Sequence, residues 1–264
     1  MIRIVVCVKQ VPDIAEATRV NVDRDSGNLL REGIPSIINP FDEYAVEEAV
    51  QLAEKHSGEV IAISMGPIQA KDALIHCLAM GAHKAFLLSD KVFAGADTLA
   101  TSYTLACAIR KIGDFHLVLC GKNAIDGETA QVGPGIAENL HIPQITCVNK
   151  VEIDGESIKA WQETEWGQAI IQARLPILVT TLKGAKEPRV PTFSGLADAM
   201  EKDIPIWSAD DLNGDMKRFG LEGSATRVVK TWMPERKKKG RLLEGEPGDL
   251  AKRLAGLLRD KKGY

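Results

Sequence analysis

No apolar run in this chain comes near the ~20 residues that cross a bilayer; runs such as Ile4–Val8 and Ile177–Val179 stop far short. Aromatic residues are scarce, at 5%, and basic charge is not in excess. A net charge of −3 gives no general footing for nucleic acid, which needs a basic face or domain. The five cysteines (Cys7, Cys77, Cys107, Cys120 and Cys147) form no C-x-x-C pair. Most sit among apolar neighbours and read as buried thiols in a reducing compartment. The histidines keep no H-E-x-x-H or similar spacing, so no metal or iron–sulfur site is expected. Also missing are a G-x-S-x-G elbow, a G-x-G-x-x-G fingerprint and a G-x-x-x-x-G-K-[ST] loop. Met1-Ile2-Arg3 leads into a five-residue apolar run ended by Lys9. That run is too short for a signal-peptide core, so a cytoplasmic location is expected.

What is there is a chain of 264 residues, long enough to bury a substantial core. Its first half alternates short β-rich runs with helical patterns, which predicts a doubly wound, mostly parallel sheet wrapped by helices. Expected strands are Arg3–Lys9, Glu59–Ser64, Lys84–Ser89, Phe115–Cys120 and Gln144–Val148. Expected helices are Glu43–Lys55, Ile68–Met80 and Thr98–Ile112, each with a helix-ending glycine close behind. Asn39 or Asp42 is expected to cap the first helix. If the first and fourth strands are neighbours, winding reverses between them and a crevice opens at their carboxyl ends. Cys7–Asp13 and Gly121–Gln131 would then face it.

The second of these segments belongs to the most informative stretch, residues 121–140. An apolar strand, a glycine-bearing turn and a helix start follow in that order, and free N–H groups of a first helical turn bind phosphate oxygens without any lysine or arginine. Gly127, Gly133 and Gly135 permit close approach, and Thr129 and Gln131 can add hydrogen bonds. A plain structural turn is the other reading.

After residue 150 the pattern changes. Val151–Ile158 reads as a hairpin around Asp154-Gly155, followed by strand-like Ala169–Arg174 and Ile177–Leu182. Several prolines and a final helix at Pro247–Arg259 come next. All four tryptophans, Trp161, Trp166, Trp207 and Trp232, lie in this region. They either anchor an interface or plug the edges of the domain. The basic run Arg236–Lys239 with Arg241 is a solvated linker or a dock for an acidic partner. The expected division is residues 1–190 as a nucleotide-binding domain with a β-hairpin extension and 191–264 as a partner-docking segment and arm.

These segments together resemble the beta subunit of electron transfer flavoproteins. The similarity is carried by Val6-Cys-Val-Lys-Gln-Val-Pro-Asp13, Asn39-Pro-Phe-Asp-Glu-Tyr-Ala-Val-Glu-Glu-Ala49, Ser64-Met-Gly-Pro67 with Ala79-Met-Gly-Ala82, Gly121-Lys-Asn-Ala-Ile-Asp126 and Glu187-Pro-Arg189. The resemblance implies a heterodimer with an alpha subunit that carries its own FAD. Conventional members hold a structural AMP in the beta subunit, while a second group binds a complete FAD there and bifurcates electrons. Conventional members carry bulkier or acidic residues after the shared Ala-Ile-Asp. Here the run Gly127-Glu-Thr-Ala-Gln-Val-Gly-Pro134 resembles the FAD-binding group, and its small residues leave room beyond an adenosine phosphate.

Carried over residue by residue, the resemblance puts the adenosine part against Cys7, Asn39, Pro40, Phe41, Asp42 and Met65. The phosphates and the rest of the flavin lie over Gly121, Lys122, Asn123, Ala124, Ile125, Asp126, Gly127, Glu128, Thr129, Ala130, Gln131 and Val132. It implies hydride transfer from NADH, a transient substrate, to this FAD. One electron then goes to ferredoxin or flavodoxin, and the other goes through the alpha-subunit FAD to a flavin-dependent dehydrogenase. No acid–base side chain is needed, because the flavin supplies the redox chemistry. A loop near Pro191–Met200 docks the dehydrogenase in this family, with Phe193 and Leu196 as anchors; an amphipathic helix packing inward is the alternative. Two rivals fit less well. A nucleotide-binding sensor module would not need the long shared blocks, and an ATP-cleaving enzyme of this broad fold would show an S-G-G-x-D-S-type loop where Lys9–Asp13 stands.

Overall fold

The computed structural model describes residues 1–13, 21–22, 29–30, 35–184, 186–229 and 242–262. Trp232 and the basic run Arg236–Arg241 lie outside them. The chain divides into two compact units, Met1–Val229 and Lys230–Tyr264.

In the first unit the elements run β1 (Arg3–Cys7), β2 (Gln10–Pro12), β3 (Asn21–Val22), β4 (Leu29–Leu30), β5 (Ser36–Ile38), α1 (Pro40–His56), β6 (Glu59–Met65), α2 (Lys71–Ala79) and β7 (Lys84–Leu88). They continue with α3 (Thr98–Ile112), β8 (Leu117–Gly121), α4 (Val132–Leu140), β9 (Gln144–Asp154), β10 (Ser157–Thr164), β11 (Gly167–Arg174), β12 (Ile177–Thr181), α5 (Phe193–Glu201) and β13 (Ile206–Trp207). The described residues of the second unit include an amphipathic helix, α6 (Pro247–Lys262), whose Leu254, Leu257 and Leu258 are exposed.

Nine strands form the main sheet in the order β11-β10-β9-β12-β8-β1-β6-β7-β13. From β9 through β13 across the sheet every pairing is parallel; the two pairings of β10, with β9 and with β11, are antiparallel and form a hairpin extension. Alternation along the strands assigns the two faces. Ile4 and Val6 of β1 share a buried cluster with residues of α1 and α2. Val5 and Cys7 share the other cluster with residues of α3 and α4. The interiors of the central strands β1, β6, β8 and β12 are largely apolar and almost fully buried, and each large apolar side chain there contributes roughly 1.5–3 kcal/mol on leaving water. Helices on both faces of a parallel sheet make this a doubly wound, Rossmann-like α/β fold.

The expected strands and helices are present, with shifts at their edges. β9 does not end at Val148 but runs to Asp154, bending where Cys147 takes a left-handed φ of 57°. The start of the second expected helix is a separate 3-10 turn, Ile68–Ala70. Neither Asn39 nor Asp42 caps α1 with its side chain, because both side chains are committed to the chain at the carboxyl ends of β1 and β8. Trp207 plugs the sheet edge, stacked on Phe86 at 4.3 Å, whereas Trp166 at the β10–β11 turn is 95% exposed.

Candidate functional site

β1 and β8 are adjacent and in register, with Cys7 opposite Cys120, yet they lead to opposite faces: β1 toward α1, β8 toward α4. The loops diverge and leave a crevice at the carboxyl ends of the strands, where doubly wound sheets bind ligands. A cavity of about 330 Å³ occupies it, within the size range of small-ligand sites.

Cys7, Asp42 and Met65 line one side of this cavity, and Gly121–Ala124 with Gly127–Val132 line the other. Asn39, Pro40, Phe41, Ile125 and Asp126 do not line it. Two of these five shape the crevice from behind. The fully buried Asn39 amide donates to the Asn123 carbonyl at 3.0 Å, and its oxygen accepts from Ile125 N–H at 3.1 Å. Lys9 Nζ donates to both carboxylate oxygens of Asp126, at 2.8 and 2.9 Å, which ties the loop after β1 to the loop after β8. Phe193 and Leu196 lie elsewhere, on α5, where Phe193 is 91% and Leu196 40% exposed.

Asp42 joins the two switch-point strands. Its buried carboxylate accepts from Lys9 N–H at 2.8 Å and from Gly121 N–H at 3.1 Å. Burial pushes its pKa up from 3.8 to about 7, although hydrogen bonds from Asn39, Lys9 and Gly121 pull the other way. The folded state therefore holds this proton more tightly than the unfolded chain does. The associated stability is fully present below about pH 4 and is lost as pH rises through about 7, by roughly 4 kcal/mol in all. Asp42→Asn, which cannot titrate, should thus gain relative to the parent as pH rises through that window. Chemical denaturation across it checks this, and parallel stability curves for the two proteins would refute it. The Cys7 thiol is also pushed well up, by its hydrogen bond with Cys120 and by burial. It stays protonated near neutral pH and is a packing group, not a nucleophile.

The glycines of the motif divide by what surrounds them. A Cβ on Gly133 would sit 2.7 Å from Thr180 Cγ2, and one on Gly135 would sit 2.8 Å from Ser102 Cβ. These two let α4 lie close on β12 and α3, and Gly133 also lines the cavity. A Cβ on Gly127 would meet nothing within 4 Å. The neighbouring loop is strained, with Glu128 at φ 51° and Ala130 at φ 54°, and such non-glycine left-handed residues concentrate at ligand sites. No side chain caps α4 and no acid occupies its first turn, so its leading N–H groups and dipole suit an anion.

A third wall was not foreseen: Ala96, Asp97, Thr98, Thr101 and Leu105. The signal for it is topological. The crossover from β7 to β8 must pass over β6 and β1 on the face opposite α1, which brings the start of α3 over the crevice. Asp97 caps that start, accepting from Leu99 N–H and Ala100 N–H at 2.9 and 3.1 Å. Thr98 Oγ1 donates to Gln131 Oε1 at 2.8 Å and joins the α3 wall to the glycine loop.

Residues 26–212 match the family profile of the electron transfer flavoprotein domain. The chain is 45% identical over 258 residues to the electron transfer flavoprotein subunit beta of Clostridium acetobutylicum, covering 98% of each. It belongs to the electron transfer flavoprotein beta-subunit family. Within that family it is 42% identical over 261 residues to the caffeyl-CoA reductase-Etf complex subunit CarD of Acetobacterium woodii, again covering 98% of each chain. It is also 44% identical over 239 residues to protein FixA of Azorhizobium caulinodans, covering 88% of this chain and 84% of that one. Among the described residues of this family member, no helix is long and apolar enough to cross a membrane.

Proposed function

We propose that this electron transfer flavoprotein subunit binds FAD in its switch-point crevice and acts with an alpha subunit in NADH-dependent electron bifurcation. The observation that carries the reading is the open space at Gly127. Neither a neighbouring atom nor a left-handed φ requires glycine there, so the missing side chain leaves room in the cavity wall. The distal part of a dinucleotide needs that room and an AMP does not. The uncapped start of α4 and the Lys122 ammonium would face the phosphates, with the adenosine part toward Cys7 and Met65. Asn39 and Asp42 would act by holding the two loops, since an ionised Asp42 beside phosphate would repel it.

FAD, when bound, supplies hydride acceptance from NADH and the release of single electrons. The protein's part is to orient the cofactor and shield it from water. The outgoing electrons pass to ferredoxin or flavodoxin and, through the alpha-subunit FAD, to a flavin-dependent dehydrogenase. The exposed Phe193 and Leu196 on α5 supply an apolar anchor for that dehydrogenase, and the leucine face of α6 suits the alpha subunit. The setting is the cytoplasm: the cysteines are free thiols, and all but Cys147 are buried.

The deciding experiment is to co-express the chain with its alpha subunit and release the bound cofactors. Two FAD per heterodimer, bleached rapidly by NADH, is the expected result. One FAD with one AMP would overturn the reading and assign the chain the conventional electron-carrier role.

A further inference from the structure

We infer that Arg189 is the positioning residue that fixes the exposed apolar face of α5; this rests on the reading of that face as the dehydrogenase dock. Arg189 fixes the point from which α5 starts, and α5 itself packs on α2. Its one buried residue is Ala199, and its close approach to α2 is at Gly195, where a Cβ would lie 3.3 Å from the Ala79 carbonyl. Phe193, Leu196 and Met200 remain exposed on one side. The chain enters α5 through Arg189, Val190, Pro191 and the cap Thr192, whose Oγ1 accepts from Gly195 N–H at 3.0 Å.

Arg189 fastens this entry to α1 by an unusually complete set of bonds. Its backbone N–H donates to Glu47 Oε2 at 3.0 Å. Nε and Nη2 grip the same carboxylate at 2.9 and 3.1 Å, and Nη1 and Nη2 grip Glu54 at 2.7 and 3.2 Å. Gln51 donates to Glu47 Oε1 at 2.6 Å and so holds the first carboxylate in place. Three residues earlier, Lys186 pairs with the buried Glu48 at 3.3 Å. Burial pushes Glu47 up, but the Arg189 and Gln51 hydrogen bonds outweigh it and leave the group below the usual carboxylate range. Of the two carboxylates Glu47 is buried and Glu54 exposed; exposed pairs and buried ones alike give little net stability, and the better-attested use of a buried pair is to select one geometry over others. Two forked carboxylates on one guanidinium suit that use, because lysine cannot reproduce the fork. Both carboxylates stand on the helix whose first turn holds the crevice, so the docking face is referred to the cofactor site through α1.

The test uses the heterodimer with Arg189→Lys, Glu54→Gln and Phe193→Ala. In Arg189→Lys the amides of residues 190–201 should exchange with deuterium about tenfold faster, while residues 121–132 and the flavin content match the parent. With a purified acyl-CoA dehydrogenase as the probe, KM for the heterodimer should rise about tenfold at unchanged kcat. Glu54→Gln, which keeps the buried Glu47 fork, should show the same shifts in weaker form and guards against loss of folding. Unchanged exchange over 190–201 in Arg189→Lys overturns the inference, as does faster exchange spread equally over 121–132. If KM rises in Phe193→Ala but not in Arg189→Lys, the positioning role fails alone. If Phe193→Ala leaves KM unchanged, the docking reading fails, and the exchange data still judge Arg189.

Discussion

Gly127→Phe should leave the protein folded and strip the flavin from the beta subunit. The Cβ position at residue 127 is open, and glycine is not held there in a left-handed conformation. Surface changes of this kind alter stability by no more than about 0.5 kcal/mol. A phenyl ring at that point would occupy the cavity along the glycine loop, where the distal flavin portion is proposed to lie. Beta-site occupancy, read as the flavin-to-protein ratio after gel filtration, should fall at least tenfold, roughly 1.4 kcal/mol in binding or more. The alpha-subunit flavin and the melting temperature should stay as they are. Full beta-site occupancy in the variant would remove the steric basis for choosing FAD over AMP.

Gly121→Val, six positions earlier in the same motif, should do the reverse and prevent folding of the crevice. A Cβ at residue 121 would lie 2.7 Å from both the carbonyl carbon and the Cβ of Phe41, and it would also collide with Asp42 Oδ1. Backbone of α1 cannot move aside cheaply. The same displacement would break the Gly121 N–H bond to Asp42, leaving a buried carboxylate short of a donor. Overpacking and the lost hydrogen bond together are expected to cost about 3 kcal/mol or more. The midpoint of chemical denaturation measures this; a variant as stable as its parent would mean that β8 and α1 are less tightly joined than their geometry indicates.

These two glycines also mark what the sequence could and could not convey. A glycine-bearing turn after the fourth strand was legible; its place in the sheet was not, because the alternation of apolar runs and helix patterns leaves open which strands are neighbours, and only the assembled sheet sets the fourth beside the first. Which of the glycines serve packing was not legible. Gly127, Gly133 and Gly135 look alike in sequence; they differ through contacts with Thr180 and Ser102, which are distant along the chain. The same holds for Asn39 and Asp42, whose local propensity is to cap a helix but which bond instead to residues about 80 positions away. β13 has two residues, too few to show a period, and exists because β7 offers it an open edge. The wall from Asp97 to Leu105 required the path of a crossover, which only the assembled sheet defines.

Helix α1 carries a consequence for how this chain can change over evolution. Its first turn grips both crevice loops through Asn39 and Asp42, and its middle grips the α5 strap through Glu47 and Glu54. A helix advances about 1.5 Å and turns about 100° with each residue. One residue inserted or deleted between Asp42 and Glu47 would swing one set of grips away from its partners, whatever its identity. The segment therefore tolerates exchange of residues at its exposed positions far better than any change of length, and the family should keep the count of residues here more strictly than their kind.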